Sequence, residues 1–245
     1  MKATKYVKID GKFKMHRGGE LESPTIAYET WGECKGDGEN AVLIFTGLSP
    51  SAHASSSAKD PTSGWWEDMI GSGLPLDTDK FFIICINSLG SCFGSTGPNS
   101  VDSLTGKRYK LSFPVLSLED VAKGGYEVTK ALGLKKINTT IGCSMGGMTA
   151  LSFCVQFPRI SERLISISSS ARALPFSIAI RSLQREMIRR DPKWNDGNYD
   201  PKDPPLIGAR LARKLGMITY RSAREWEIRF ARERNTFEKD ENEKF

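Results

Sequence analysis

Short, almost unbroken apolar runs mark the first two-thirds of the chain. Val42-Leu43-Ile44-Phe45 and Phe81-Phe82-Ile83-Ile84-Cys85-Ile86 are of strand length and lack polar alternation. That is the pattern of parallel strands covered on both faces. Ile137-Asn138-Thr139-Thr140-Ile141 is short and rich in β-branched residues, and Leu164-Ile165-Ser166-Ile167-Ser168 adds a further apolar strand. Between these runs the period becomes helical. Ser117 and Asp120 form a capping-box pair, Leu118, Val121, Val128 and Leu132 line one side of the helix they open, and Gly133 ends it. A second helix places Met148, Leu151 and Val155 at helical spacing and stops at Pro158. Residues 5–31 alternate and turn at Asp10-Gly11, which predicts an N-terminal antiparallel hairpin. Strands alternating with helices predict an α/β fold, a mostly parallel sheet with helices on both faces.

The pattern changes after Ala171, giving a core at 1–171 and a helical region at 172–245. Residues 175–190 read as a helix with Ile180, Leu183 and Met187 apolar and Arg181, Arg185 and Arg189 spaced by four. Residues 191–205 are a loop rich in Pro, Asp, Asn and Gly. Residues 206–215 and 223–234 read as further helices, the latter opened by Ser222 and Glu225 as a capping box. No later strand follows, and residues 241–245 form a charged, loop-like stretch.

Composition narrows the class. Apolar residues make up 39% and charged residues 26%, the balance of a globular protein, and no apolar stretch reaches membrane-spanning length. The hydrophilic start lacks a signal-peptide core. Five cysteines, an odd number without CxxC spacing, read as reduced thiols of a cytoplasmic protein and not as zinc ligands. The net charge of +6 is uneven: residues 1–171 carry 18 Lys/Arg against 17 Asp/Glu, and residues 172–245 carry 17 against 12. The excess reads as a solvated helical face or as an electropositive approach for an anionic ligand. No nucleic-acid motif accompanies it.

One stretch carries chemistry. Gly142-Cys143-Ser144-Met145-Gly146-Gly147 fits Gly-x-Ser-x-Gly, in which a serine sits on a sharp strand-to-helix turn with its hydroxyl exposed. The predicted strand before it and helix after it supply the context that the turn requires. In such an elbow the partner acid and histidine follow the serine in the chain. The only histidines are His16 and His53, both upstream of Ser144. His53 therefore reads as a pocket-shaping or structural residue and His16 as a surface one. Gly94-Ser95-Thr96-Gly97-Pro98 lacks the Gly-Lys-Ser/Thr ending of a phosphate loop and reads as a tight structural turn.

Longer segments resemble a known family. Tyr28-Glu29-Thr30-Trp31-Gly32, Gly47-Leu48-Ser49-Pro50-Ser51-Ala52-His53, Gly64-Trp65-Trp66-Glu67-Asp68-Met69, and the run from Asn87 to Pro98 are similar to segments of the homoserine O-acyltransferases of the α/β-hydrolase fold. The elbow and Ile218-Thr219-Tyr220-Arg221-Ser222 continue the match in the family's order. The resemblance implies an α/β-hydrolase core with a helical lid inserted after the sixth strand. It leaves uncovered the family's C-terminal third, which carries the remaining strands and the triad Asp and His, so the chain reads as an N-terminal fragment with an apolar sheet edge.

The resemblance also implies an activity. Ser144 would attack the thioester of an acyl-CoA co-substrate, with no bound cofactor and no metal, and pass the acyl group to the hydroxyl of L-homoserine or L-serine in methionine or cysteine biosynthesis. The N–H groups of Met145 and Leu48 would form the oxyanion hole, the loss of one such donor raising the barrier by about 3–4 kcal/mol. Arg213 and Tyr220 match positions that bind the amino acid, the arginine pairing with the α-carboxylate. Ser49, Pro50, Ser51 and Ala52 would shape the pocket. Their form, with Asn87 to Phe93, is more similar to succinyl-using members than to acetyl-using ones. Arg185 would then meet the distal carboxylate of a succinyl group; otherwise it is solvated or meets CoA phosphates. The family implies a cytoplasmic homodimer that uses neither nucleic acid nor membrane. Two rivals are an ester or thioester hydrolase on the same fold and a short non-catalytic protein that binds a ligand or partner.

Overall fold

The computed structural model describes residues 2–231. Six strands form the main sheet: β1 (Lys5–Lys8), β2 (Thr25–Trp31), β3 (Ala41–Phe45), β4 (Phe82–Ile86), β5 (Ile137–Cys143) and β6 (Ser161–Ile167). Their order across the sheet is β1-β2-β4-β3-β5-β6. β1 and β2 are antiparallel, β2 is antiparallel to β4, and the rest are parallel. β3 is buried at every position, as its unbroken apolar sequence requires of a strand covered on both faces.

Alternation along the strands divides the core. Leu43, Phe45, Ile84 and Ile86 face one side, where α1 (Leu118–Ala131) and α2 (Met145–Gln156) cover them with Val128 and Phe153. Val42, Ile44, Ile83 and Cys85 face the other, under Trp31, Ala52, Ala54 and Ile70. Phe45 and Phe153 are almost wholly buried with ring centroids 5.5 Å apart, each burial stabilising by roughly 2–3 kcal/mol.

The α1 capping residues act as the sequence requires. Asp120, 1% exposed, accepts the Ser117 N–H at 2.8 Å and also the N–H of His16 at 2.7 Å, so the cap ties the helix start to the N-terminal ribbon. At the other end Gly133 takes φ +72, a left-handed turn that stops the helix. Ser95 bridges the sheet below the Gly94–Pro98 turn, donating to the Asn87 carbonyl at 2.6 Å and accepting the Ala27 N–H at 3.0 Å.

One expectation needs correction. No hairpin turns at Asp10-Gly11. That bend only kinks the chain between β1 and a short strand Lys12–Lys14, which pairs with Glu20–Glu22, while β1 pairs with β2. The reversal lies at Met15–Gly19, closed by the Met15 N–H on the Gly19 carbonyl at 3.0 Å. Consecutive glycines at 18 and 19, both at positive φ, make the tighter turn there. The helix expected from Met148, Leu151 and Val155 is present as α2, and its buried positions are mostly small ones. Val155 is 72% exposed, whereas Gly146, Gly147, Thr149, Ala150 and Phe153 are buried. Small side chains face the sheet because the helix starts in direct backbone contact with it.

The described chain forms two compact units, the first up to Arg172 and the second from Ala173. The second contains α3 (Pro175–Arg189), α4 (Leu206–Thr219) and α5 (Ala223–Phe230). Between α3 and α4 the expected loop holds a short 3-10 turn, Pro192–Gly197. The Gln184 side chain donates to the Ala212 carbonyl at 2.7 Å and joins α3 to α4. Ser222 caps α5, its hydroxyl accepting the Glu225 N–H at 3.2 Å. The expected end of that helix at 234 and the charged stretch 241–245 lie outside the described residues. Among the described residues β6 is the last strand, and its Leu164, Ile165 and Ile167 are 37–46% exposed.

Candidate active site

Ser144 is the single residue between the end of β5 and the start of α2. Its backbone lies at φ 55 and ψ −122, a left-handed region that residues with a Cβ adopt only under constraint. The constraint is visible. The Ser144 N–H still bonds across the sheet to the Ile167 carbonyl at 2.9 Å, while its own carbonyl accepts the N–H of Gly147 at 3.0 Å. One residue thus serves the strand with its N–H and the helix with its carbonyl, and its side chain is left exposed.

Two glycines make that turn sterically accessible. A Cβ on Gly142 would lie 2.0 Å from the Gly146 carbonyl oxygen, and one on Gly146 would lie 2.1 Å from the Phe45 carbonyl oxygen. No side chain fits at either position. The second contact also carries functional weight: it seats the start of α2 against the end of β3, so the loop leaving β3 begins beside the elbow. A Cβ on Gly47 would come 3.4 Å from the Cys143 carbonyl oxygen.

Met145 opens α2, where an N–H has no carbonyl one turn earlier to bond. Leu48 follows Gly47 and is 60% exposed. The fold therefore brings Ser144, Met145 and the Leu48 loop together at the C-terminal ends of the parallel strands, where ligands bind in open α/β sheets. A groove of about 630 Å³ near Leu134, Lys135 and Ile160 lies at the opposite strand ends, away from this chemistry.

The pocket-loop residues are anchored from behind. Ala52 is fully buried, and its N–H donates to the Asn87 side-chain oxygen at 2.6 Å. The same Asn87 donates through Nδ2 to the Phe93 carbonyl at 2.7 Å. The Ser51 carbonyl accepts the Trp65 indole N–H at 2.8 Å. Ser49 and Pro50 project between these anchors and Gly47, Ser49 exposed and Pro50 half-buried.

His53 offers no free ring nitrogen. Nδ1 lies 2.9 Å from Glu29 Oε2, and Nε2 lies 2.8 Å from the Thr62 carbonyl oxygen. Burial pulls its pKa down, but the bonds to Glu29 and Thr62 and the charges of Glu29 and Asp60 outweigh it and leave the pKa raised. A ring held in this way has no lone pair for the Ser144 proton. His16 is exposed, with Nε2 3.8 Å from Glu119.

Arg185, Arg213 and Tyr220 belong to the second unit. Tyr220 caps the C-terminus of α4, is 59% exposed and has the Arg181 guanidinium 5.9 Å from its ring centroid. Arg213, two turns earlier on α4, and Arg185 on α3 are exposed. The α3–α4 pair therefore carries all three. Among the described residues no group of His, Cys, Asp and Glu could hold a metal ion, and no helix is long and apolar enough to cross a membrane.

Reading by motif gave no role to Asn87, Glu29 or Trp65. Glu29 had a signal, a carboxylate in a strand otherwise fit for burial. Asn87 and Trp65 had none, because the loop atoms they hold are backbone atoms 35 and 14 residues away, respectively.

Comparison with known proteins agrees with this geometry. Residues 40–239 match the alpha/beta hydrolase fold family. A serine O-succinyltransferase of Litchfieldella anticariensis is 56% identical over 232 residues, which are 95% of this chain and 63% of the relative. The chain thus spans less than two-thirds of that relative's length. The crystal structure of homoserine O-acetyltransferase from Bacillus anthracis superposes with a TM-score of 0.85 at 30% identity, over 100% of this chain and 67% of that one. Esterase E22 superposes with a TM-score of 0.83 at 27% identity, over 92% of this chain and 63% of that one. With a strained strand-to-helix elbow at Ser144, the six-strand order and these matches, the chain belongs to the α/β-hydrolase fold family, in its homoserine O-acyltransferase branch.

Proposed function

We propose that Ser144 is the nucleophile of an acyl-CoA-dependent O-acyltransferase that moves a succinyl group to the hydroxyl of L-serine or L-homoserine. The observation that carries the reading is the Ser144 backbone, held at φ 55 between strand and helix with its side chain exposed. The names of the 56%-identical relative and its group support succinyl as the donor group and serine as the acceptor.

In this reading Ser144 Oγ attacks the thioester carbonyl as a base takes its proton. The N–H groups of Met145 and Leu48 receive the oxyanion. The C–S bond then breaks, CoA leaves as the thiol with that proton, and an acyl-serine ester remains. The acceptor hydroxyl attacks the ester, its proton passes through the base to Ser144 Oγ, and the O-acyl amino acid departs. Arg213 and Tyr220 hold the acceptor carboxylate, Arg185 meets the distal carboxylate of the succinyl group, and Ser49 to Ala52 shape the pocket.

We place the triad acid and base in sequence outside residues 1–245. The greater length of the relatives supports this, as does the engagement of both His53 ring nitrogens. Cytoplasmic residence, a homodimer and a place in amino-acid biosynthesis belong to the same proposal.

The test is to incubate the complete gene product with succinyl-CoA or acetyl-CoA, with and without serine or homoserine. The expected result is O-succinyl amino acid, lost in Ser144→Ala. Residues 1–245 alone should show no turnover, and steady-state transfer by that polypeptide would overturn the placement of the base. The likeness to esterase E22 favours one rival. Free succinate as the main product, regardless of the amino acid, would establish that hydrolytic reading instead.

A further inference from the structure

Glu29, His53 and the loop between β3 and residue 54 form an arrangement that the acyl-transfer chemistry does not use directly. The sheet register puts Glu29, Cys85 and Ile44 opposite one another on β2, β4 and β3. Ile44 and Cys85 belong to the apolar cluster on that face, and Glu29 is 1% exposed beside them. The carboxylate pushes the buried Cys85 thiol further from ionising, adding to the effect of burial.

A charge in an apolar row requires compensation. Thr4 Oγ1 donates to Glu29 Oε1 at 2.9 Å, and His53 Nδ1 meets Oε2 at 2.9 Å. The other ring nitrogen, Nε2, faces the Thr62 carbonyl at 2.8 Å. Thr62 Oγ1 lies 3.1 Å from the same nitrogen, but its proton goes to Asp60 Oδ1, so every partner of the ring accepts and the set is satisfied by two ring N–H groups, that is, an imidazolium. The remaining charged group near the ring is Asp60, whose Oδ1 accepts the Thr62 hydroxyl at 2.7 Å. Its raised pKa agrees with the doubly protonated ring.

Such a pair is a weak source of stability, because desolvation offsets most of its attraction and apolar residues could fill the same space. Its effect is geometric. The loop leaves β3 beside the elbow, crosses over β4, and is fastened at its far end to β2 by His53 on Glu29. Asn87 holds the Ala52 N–H and Trp65 holds the Ser51 carbonyl just before that point. The exposed Leu48 lies between one end, Gly47, set close to the Cys143 carbonyl, and the other joined to Glu29 through His53.

We propose that Glu29 and His53 are positioning residues, an ion pair that fixes the loop from residue 47 to residue 54 so that the Leu48 N–H faces the oxyanion formed at Ser144. The proposal rests on the acyl-transfer reading for what Leu48 does, but not for the fastening of the loop. It implies a specific pattern of failure. A loosened donor weakens the bond that exists only in the transition state, so turnover falls while acyl-CoA binding does not.

The test measures acyl transfer and amide hydrogen exchange on the complete gene product, wild type against Glu29→Gln. The expected result is a kcat lower by about tenfold or more, KM for succinyl-CoA within about twofold, and faster exchange in residues 47–54 but not in α1. Unchanged kcat and unchanged loop exchange would overturn the proposal, as would a rise in KM alone. If wild type transfers no acyl group yet Glu29→Gln speeds loop exchange, the acyl-transfer reading fails and the fastening stands. Should Glu29→Gln not fold, Thr4→Val removes only the neutral donor to Glu29. It should give the same kcat loss at smaller amplitude, and no change there would leave the pair a purely structural role and overturn the proposal.

Discussion

Replacing Ser144 with glycine should stabilise the protein while it removes the hydroxyl proposed as nucleophile. Ser144 sits at φ 55, ψ −122, where a Cβ costs about 1–3 kcal/mol. Glycine relieves that strain but restores freedom to the unfolded chain, which costs about 0.4–1 kcal/mol. The fitting reference is Ser144→Ala, which loses the same hydroxyl and keeps the Cβ, so the contrast between the two variants isolates backbone strain. Ser144→Gly should be more stable than Ser144→Ala by about 1–2 kcal/mol. For a chain of this size that corresponds to about 2–8 °C in melting temperature. Urea denaturation followed by tryptophan fluorescence, with thermal scans beside it, measures the difference, and both variants lack the hydroxyl, so turnover does not enter. A glycine variant no more stable than the alanine one would refute the claim that the elbow holds its serine under strain.

Asn87→Ala orphans the Ala52 N–H and the Phe93 carbonyl, both in buried or half-buried surroundings, and should cost about 2–5 kcal/mol in the same urea assay. A loss below about 1 kcal/mol would mean that water replaces both bonds. Gly146→Ala drives a Cβ into the Phe45 carbonyl and should cost about 3 kcal/mol or more, read as loss of folded material or a large drop in the urea midpoint. The His53 ion pair predicts a pH dependence with a definite sign. A pKa raised in the fold means that the stabilisation is complete below about pH 6.5 and is lost as pH rises through the folded value. The urea midpoint of wild type should therefore fall, relative to Glu29→Gln, as pH is raised from about 6 to about 9. A gap between the two proteins that stays constant with pH would contradict the charged pair.

The fold was legible where its cause is local. β3, β4 and β5 follow from runs that only a doubly covered strand can bury, and α1 from a capping pair, a helical stripe and a terminal glycine, all within residues 117–133. The N-terminal region was misread because Asp10-Gly11 and Gly18-Gly19 are both competent turns, and only pairing with β2 decides which one reverses the chain. The buried face of α2 was not legible for a related reason. Apolar side chains rank its faces in isolation, but Gly146 against Phe45 fixes the rotation of the helix before Met148, Leu151 or Val155 can compete.

The site divides in the same way. Ser144 and Met145 could be found from six consecutive residues, because the geometry of the elbow is dictated by which side chains are too large for it. The fastening of the Leu48 loop could not, since each bond joins segments distant in sequence: Ala52 to Asn87, Ser51 to Trp65, and His53 to Glu29. Yet one half of the last pair did announce itself. In the stretch Thr25-Ile26-Ala27-Tyr28-Glu29-Thr30-Trp31 a glutamate interrupts a strand that is otherwise built for burial, and a lone buried carboxylate is unstable without a cation or several donors. Such a residue implies a partner before the partner is known. With only two histidines in the chain, the partner proposed for Glu29 is His53, and a ring engaged at both nitrogens is not available to Ser144 as a base. The proposed fastening of the Leu48 loop and the proposed placement of the base outside residues 1–245 therefore rest on one shared observation, the engagement of both His53 nitrogens.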